Sequence, residues 1–157
     1  MIIRKATMND LDAISEVESE CFPAAEAATK EEFRERLESY ADHFLLMFDG
    51  EKLAAFIDGF VTDEPDLTDQ MYENAAMHSE SGKWQMIFGV NTLPEYRRRG
   101  YGISCAAALV NELVAQGFEV LYECGSDNPA SVALVDRLGG SVFAKNFCVV
   151  GRKETDE

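Results

Sequence analysis

The chain has 157 residues, and its 14 Lys and Arg stand against 29 Asp and Glu, a formal net charge of −15. That length suits one ordinary domain, and 46% hydrophobic with 27% charged residues describes a globular chain rather than a disordered one. So acidic a chain repels phosphate backbones and anionic bilayers, which argues against nucleic acid and membrane partners and favours cationic ones, with plain acidic solubility as the simpler explanation.

In chain order, Ile2 to Ala6 is short and β-branched and reads as an opening strand. Thr7 and Asp10 form a capping-box-like start, after which Leu11, Ile14, Val17, Glu18 and Cys21 recur at near-helical spacing until Pro23. Thr29 and Glu32 open a second box, followed by Phe33, Leu37 and Tyr40 on one helical face. Phe44–Phe48 and Leu53–Val61 are apolar strands around the turn signal Asp49-Gly50. Residues 62–82 are an acidic connection in which Leu67, Met71, Ala75 and His78 would line one face of a short helix. Trp84–Leu93 is a long strand stopped by Pro94, Ile103–Ala115 a helix ended by Gly117, and Phe118–Cys124 a strand. Pro129–Leu138 is a helix with Pro in its first turn, Val142–Val150 a last strand, and Lys153–Glu157 a frayed tail. The order β-α-α-β-β-(α)-β-α-β-α-β predicts one α/β domain over residues 1–157 with a central sheet.

The charge is uneven. Residues 1–83 hold seven Lys/Arg and twenty Asp/Glu, net −13, and residues 84–157 hold seven and nine, net −2. The four cysteines lack paired spacing and no His cluster accompanies them, so neither a metal site nor a disulfide framework is expected. No run is apolar and long enough for a signal peptide or a bilayer span, so the expected setting is cytoplasmic.

The most informative segment is Tyr96-Arg97-Arg98-Arg99-Gly100-Tyr101-Gly102, between a strand and a helix. Three arginines at a helix N-terminus oppose the macrodipole, and an anion reverses the sign of that arrangement by accepting free N–H groups and neutralising guanidiniums. The plainer alternative is a solvated basic turn. Gly100-Tyr101-Gly102 also begins a dinucleotide fingerprint, but Cys105 stands at the third glycine position and too little chain follows for a doubly wound sheet.

Here the sequence resembles the GNAT acetyltransferase superfamily, whose R/Q-x-x-G-x-G/A motif matches Arg97-x-x-Gly100-x-Gly102. Asn128-Pro129-Ala130-Ser131 with the Leu134–Gly140 segment is similar to a second family motif. The likeness runs from Ile2 to Val150. Within the family, Glu18-x-x-Cys21-Phe22-Pro23-x-x-Glu26-Ala27-Ala28 and Ala55-Phe56-Ile57-x-Gly59 resemble the arylalkylamine (serotonin) N-acetyltransferase branch.

The resemblance implies a mixed, mostly antiparallel sheet with splayed fourth and fifth strands, here Trp84–Leu93 and Phe118–Cys124, flanked by helices. It implies acetyl-CoA as co-substrate and no metal. Val90, Asn91 and Thr92 would line the pantetheine arm. Arg97, Arg98, Arg99, Gly100, Tyr101, Gly102 and Ile103 would hold the pyrophosphate, and Asn128 would reach the cofactor from the second strand. The reaction is direct attack of a primary amine on a thioester, which needs a general base and an oxyanion donor, the latter the Val90 amide.

The sequence departs from the family at its proton-handling positions. Met86 and Phe88 stand where the vertebrate arylalkylamine enzymes have two histidines, and Val135 where many relatives have a Tyr general acid. Glu26 becomes the first candidate base, with Tyr122 and Cys124 as donors to the leaving thiolate, each weighed against an ordinary surface or core role. His78 is a further candidate base. Phe22, Pro23, Glu26, Met86 and Phe88 would contact the acceptor, a small aryl- or alkylamine or a polyamine. The alternatives are an acyl-CoA-binding module without turnover and an acetyltransferase for protein N-termini or lysines. A monomer or a homodimer is expected.

Overall fold

In the computed structural model of the chain, the residues described are 1–122, 124–125 and 128–141. The expected strand Val142–Val150 and the tail lie outside them.

The strands are β1 (Ile2–Lys5), β2 (Leu45–Asp49), β3 (Lys52–Asp58), β4 (Val61–Thr62), β5 (Trp84–Ile87), β6 (Gly89–Thr92) and β7 (Glu119–Tyr122). The helices are α1 (Leu11–Cys21), α2 (Lys30–Tyr40), α3 (Asp69–Glu73), α4 (Tyr101–Ala115) and α5 (Pro129–Arg137). One sheet has the order β1-β2-β3-β6 and is antiparallel throughout. The other has the order β4-β5-β7, with β5 antiparallel to β4 and parallel to β7.

Local chemistry sets the helix starts. Thr29 and Glu32 close a reciprocal capping box, Glu32 N–H to Thr29 Oγ1 at 3.2 Å and Thr29 N–H to Glu32 Oε2 at 2.6 Å. Asp10 accepts from the Thr7 amide at 2.8 Å and pairs with both terminal nitrogens of Arg4. Asn128 caps α5 by accepting from the Ser131 amide. Gly50, at φ +62°, supplies the left-handed residue of the β2–β3 hairpin turn.

Both faces of the larger sheet are covered. Phe44, Leu46 and Phe56 pack under α1 and α2 with Ile14, Val17, Phe33, Leu37 and Tyr40. Leu45, Met47, Ala55 and Ile57 face α4 through Cys105, Ala106, Leu109 and Leu113.

The two long strands expected over residues 53–61 and 84–93 are each broken once, at Gly59-Phe60 and at Phe88. The pairs Asp58↔Gly89 and Val61↔Gln85 differ by one residue in register, so the second strand carries one extra residue there, a β-bulge. Hydrogen bonds from Met86 N–H to Phe60 C=O and from Phe88 N–H to Asp58 C=O, both 2.8 Å, hold the two strands together across it. Gly59 is required at this crossing, because a Cβ there would lie 1.7 Å from the Met86 carbonyl oxygen.

The bulge also ends the parallel pairing. β5 and β7 run together from Trp84↔Glu119 to Ile87↔Tyr122, and β6 then continues along β3 as the last strand of the other sheet, with no strand on its far side among the described residues. That divergence is the expected splay.

Candidate active site

The basic turn is built as a backbone cradle. β6 leads through a single 3-10 turn, Pro94–Tyr96, into residues 97–100 and then α4. Arg98 and Gly100 both take left-handed backbones, φ 62° and 84°, which costs Arg98 energy that Gly100 does not incur. Gly102 packs directly on β6, since a Cβ there would meet Thr92 Oγ1 at 2.9 Å. Arg97 Nε donates to the Thr92 carbonyl at 3.0 Å and ties the turn to the strand, while Arg98 and Arg99 are exposed. Tyr101 packs edge-on against Tyr96 at 5.0 Å, and Ile103 is half-buried. The leading N–H groups of α4 have no intrahelical acceptor, so the turn presents backbone donors, a helix dipole and the exposed guanidiniums of Arg98 and Arg99 together.

The exposed side of β6 follows from strand geometry. Leu93 N–H donates to Ala54 C=O, so positions two and four residues earlier, Asn91 and Gly89, turn their backbone toward β3. Val90 and Thr92 therefore turn theirs to the splayed side. This corrects one expectation: the Asn91 backbone belongs to the β3 ladder, so what it presents away from β3 is its side chain.

That side chain sits in a cleft of about 430 Å³ on the opposite face, between α1, α2, residues 22–28, α3 and the bulge. Such a volume suits a small molecule, for which sites run at roughly 300–1,000 Å³. Its floor is polar and buried: Asp58 and Asn91 are each 2% exposed, Arg36 7% and Glu18 8%. Arg36 Nη1 donates to Asp58 Oδ2 at 3.2 Å and Nη2 to the Tyr72 carbonyl at 3.0 Å, and its guanidinium lies over the Phe33 and Phe88 rings. Glu18 accepts from the Ala28 amide through Oε1 and from Asn91 Nδ2 through Oε2. Burial pushes the Asp58 carboxyl up to about 6 and the nearby Glu18 adds to the rise, against the pull of Arg36.

Phe22, Glu26 and Phe88, three of the residues expected to contact an acceptor, line this cleft, Glu26 exposed at its mouth. Pro23 stands beside it, its carbonyl accepting from the Glu26 and Ala27 amides. Met86 does not line it: it shares the face of Phe88, but its side chain is fully buried in the core under α1 and α2, one step further from the bulge. Tyr122 is half-buried and donates to Ser131 Oγ at 3.2 Å, and burial raises its phenol. Cys124 is half-buried just beyond β7, on the far strand of the splay. The Asn128 side chain is occupied as the α5 cap, and its backbone N–H and C=O pair with Gly125 C=O and Val132 N–H.

His78 is not near the cleft. It meets His43 and Glu80, the three offering ligand-type atoms within 4.8 Å of one another, a convergence that sequence spacing did not signal. Val61 N–H donates to His78 Nδ1, which puts the ring proton on Nε2 beside Glu80, and His43 Nδ1 meets Gln85 Oε1. A metal ion there would have to displace the His78 proton and the Val61 bond.

Asp58, Arg36 and Glu18 are the residues that sequence reasoning missed as a site. Their signal was present: each is a charged residue inside an apolar stripe, Asp58 in the run 53–61, Glu18 beside Val17, and Arg36 beside Leu37. Charges at core-facing positions are rare unless paired.

A family model described as "Acetyltransferase (GNAT) family" matches residues 11–139. The chain matches no curated protein by sequence. Among solved structures it is similar to the loading GNATL domain of CurA from Lyngbya majuscula, with TM-score 0.70, 21% identity and coverage of 77% of this chain and 63% of that one. The chain thus spans less than two thirds of that neighbour's length. It is also similar to AAC(6')-Iy in complex with the bisubstrate analogue CoA-S-monomethyl-acetylneamine, at TM-score 0.72, 17% identity and coverage of 97% and 98%. A third is diaminobutyrate acetyltransferase EctA from Paenibacillus lautus in complex with L-2,4-diaminobutyric acid and coenzyme A, at TM-score 0.65, 14% identity and coverage of 87% and 72%. At these identities the structural likeness is one of fold.

Proposed function

The chain belongs to the acetyltransferase (GNAT) family, and on that premise we propose that it is an acetyl-CoA-dependent N-acetyltransferase whose acceptor is a small di- or polyamine received in the acidic cleft. The observation that carries this is the lining: Glu18, Glu26, Glu32, Asp58 and Glu73 against Arg36, whose charge is already paired with Asp58. A field of one sign in a cleft concentrates ligands of the other. Two neighbours are described in complex with amine-type ligands, a CoA-acetylneamine bisubstrate analogue and L-2,4-diaminobutyric acid, which supports an amine acceptor here. Phe22, Tyr72 and Phe88 supply apolar wall for the alkyl or aryl body of the amine. The narrower likeness to the arylalkylamine branch rests on sequence segments alone.

The residues present fit acetyl-CoA. The α4 N-terminus with Gly100, Gly102, Arg98 and Arg99 would hold the pyrophosphate, and the outward amides of Val90 and Thr92 would line the pantetheine arm. When bound, the thioester supplies an activated acetyl group. The Val90 amide, held by the β3–β6 ladder beside the bulge, would donate to the oxyanion that develops at its carbonyl.

Thiol release from acetyl-CoA across a panel of amines tests this reading. Putrescine and spermidine should be acetylated faster than neutral or acidic amines of similar size. Preference for an anionic amine, or none of the panel acetylated, would overturn it.

A further inference from the structure

We propose that Asp58 and Asn91 form the seat of the reacting amine, with Asp58 as the group that takes its proton; this rests on the acetyltransferase reading and deepens it. The amide of Asn91 has a fixed orientation. Its Nδ2 donates to Glu18, whose other oxygen is held by the Ala28 amide, so a flipped amide would set oxygen against carboxylate. Asn91 Oδ1 is therefore the free end, and it is buried with no hydrogen-bond partner among the described residues. Asp58 is fixed in the same way, Arg36 taking Oδ2 and leaving Oδ1.

The two remaining oxygens converge. A Cβ on Gly89 would lie 2.8 Å from Asn91 Oδ1 and 3.0 Å from Asp58 Oδ1, and all three residues line the cleft. Glycine at 89 leaves the space in front of the two oxygens unobstructed. A group seated in front of Gly89 and touching both oxygens must donate to both, one of them charged. An ammonium, with several N–H donors and a positive charge, does so; a carboxylate or phosphate is repelled, and a hydroxyl supplies only one donor.

The chemistry balances from this seat. The ammonium gives one proton to Asp58 Oδ1, and the freed lone pair forms the C–N bond to the acetyl carbon. The C–S bond breaks, the nitrogen's second proton goes to the departing thiolate, and the third remains on the product amide. Asn91 Oδ1 accepts from the amine while it is bound and from the Asp58 acid once formed, and Asp58 then releases its proton to solvent. Asn91, Arg36 and Glu18 act as positioning residues. The groups facing Asp58 are Arg36 and Tyr40 from α2 and Glu18 from α1, with no charge from the β6 side. With its proton affinity raised to about 6, Asp58 is a carboxylate at neutral pH and close to the range best suited to general-base work.

The test uses Asp58→Asn and Gly89→Ala in the full chain, with acetyl-CoA affinity measured alongside. The wild-type kcat/KM for putrescine should fall as pH drops through about 6. Asp58→Asn should lose that limb and about 100-fold or more in kcat while acetyl-CoA affinity stays the same. Gly89→Ala sets a methyl against the two oxygens, keeps both residues while crowding them apart from a shared ligand, and should weaken putrescine binding by about tenfold or more. Should Asp58→Asn fail to fold, Gly89→Ala carries the decision. Calorimetric binding of putrescine to the CoA-saturated protein separates the two levels of the argument. Wild-type protein that binds putrescine but acetylates no amine contradicts the acetyltransferase reading alone, and loss of that binding in either variant still supports the seat. Putrescine binding or turnover that survives both substitutions, with the acid limb intact, overturns the seat.

Discussion

At the scale of single residues, the site is governed by charges placed where none should be stable alone. Arg36 answers Asp58 and ties down Tyr72, so its removal would leave a carboxylate in a site that is 2% exposed. Arg36→Met should destabilise the protein by about 3 kcal/mol at pH 8, read by urea denaturation. The sign of the pH dependence follows from Asp58. Its carboxyl in the folded state lies above the ordinary value, so the folded protein binds more protons than the unfolded chain between that value and about 6. Without Arg36 the carboxyl rises further, so the loss should shrink as pH falls toward 5; a loss that grows on acidification would contradict the pairing. These residues were legible only in part. The run 53–61 shows Asp58 among apolar neighbours, but both faces of β3 are buried, so alternation could not tell which side the acid faced. Glu26 was singled out by its neighbours in sequence, and the fold sets it at the exposed mouth.

At the scale of elements, the cleft exists because two strands cross with one extra residue. The helices, the β2–β3 hairpin and the strand-to-helix turn at Gly100 were readable, since caps, apolar periodicity and turn residues are local signals. The bulge was not, because an extra residue opposite Gly59-Phe60 is a property of the pair and not of either strand. The one local trace is Gly59 itself, as a glycine within a strand often marks close backbone approach. Gly59→Ala should cost on the order of 1–3 kcal/mol or more, because a Cβ at 1.7 Å from the Met86 carbonyl oxygen forces the strands apart. A drop in the urea midpoint together with weaker putrescine binding is the expected result. A variant as stable as wild type would show that the crossing does not need glycine.

At the scale of the whole molecule, the net charge of −15 resolves into two surfaces. The nearly balanced second half carries the arginine turn, while the cleft acids Glu18, Glu26, Glu32, Asp58 and Glu73 all come from the first. The β5–β6 bulge stands between them, with β6 turning Val90 and Thr92 amides to one side and the Asn91 side chain to the other. The sequence separated the two charges without showing that a single strand joins them, because that join depends on long-range pairing. The central claim is that this strand brings an anionic acyl donor and a cationic acceptor to one point. Mass spectrometry of putrescine incubated with the protein and acetyl-CoA carrying a labelled acetyl group tests it most directly. The account predicts labelled N-acetylputrescine formed in step with free CoA, and only with the protein present. Free CoA without a labelled amine, or no reaction although both ligands bind, would contradict it.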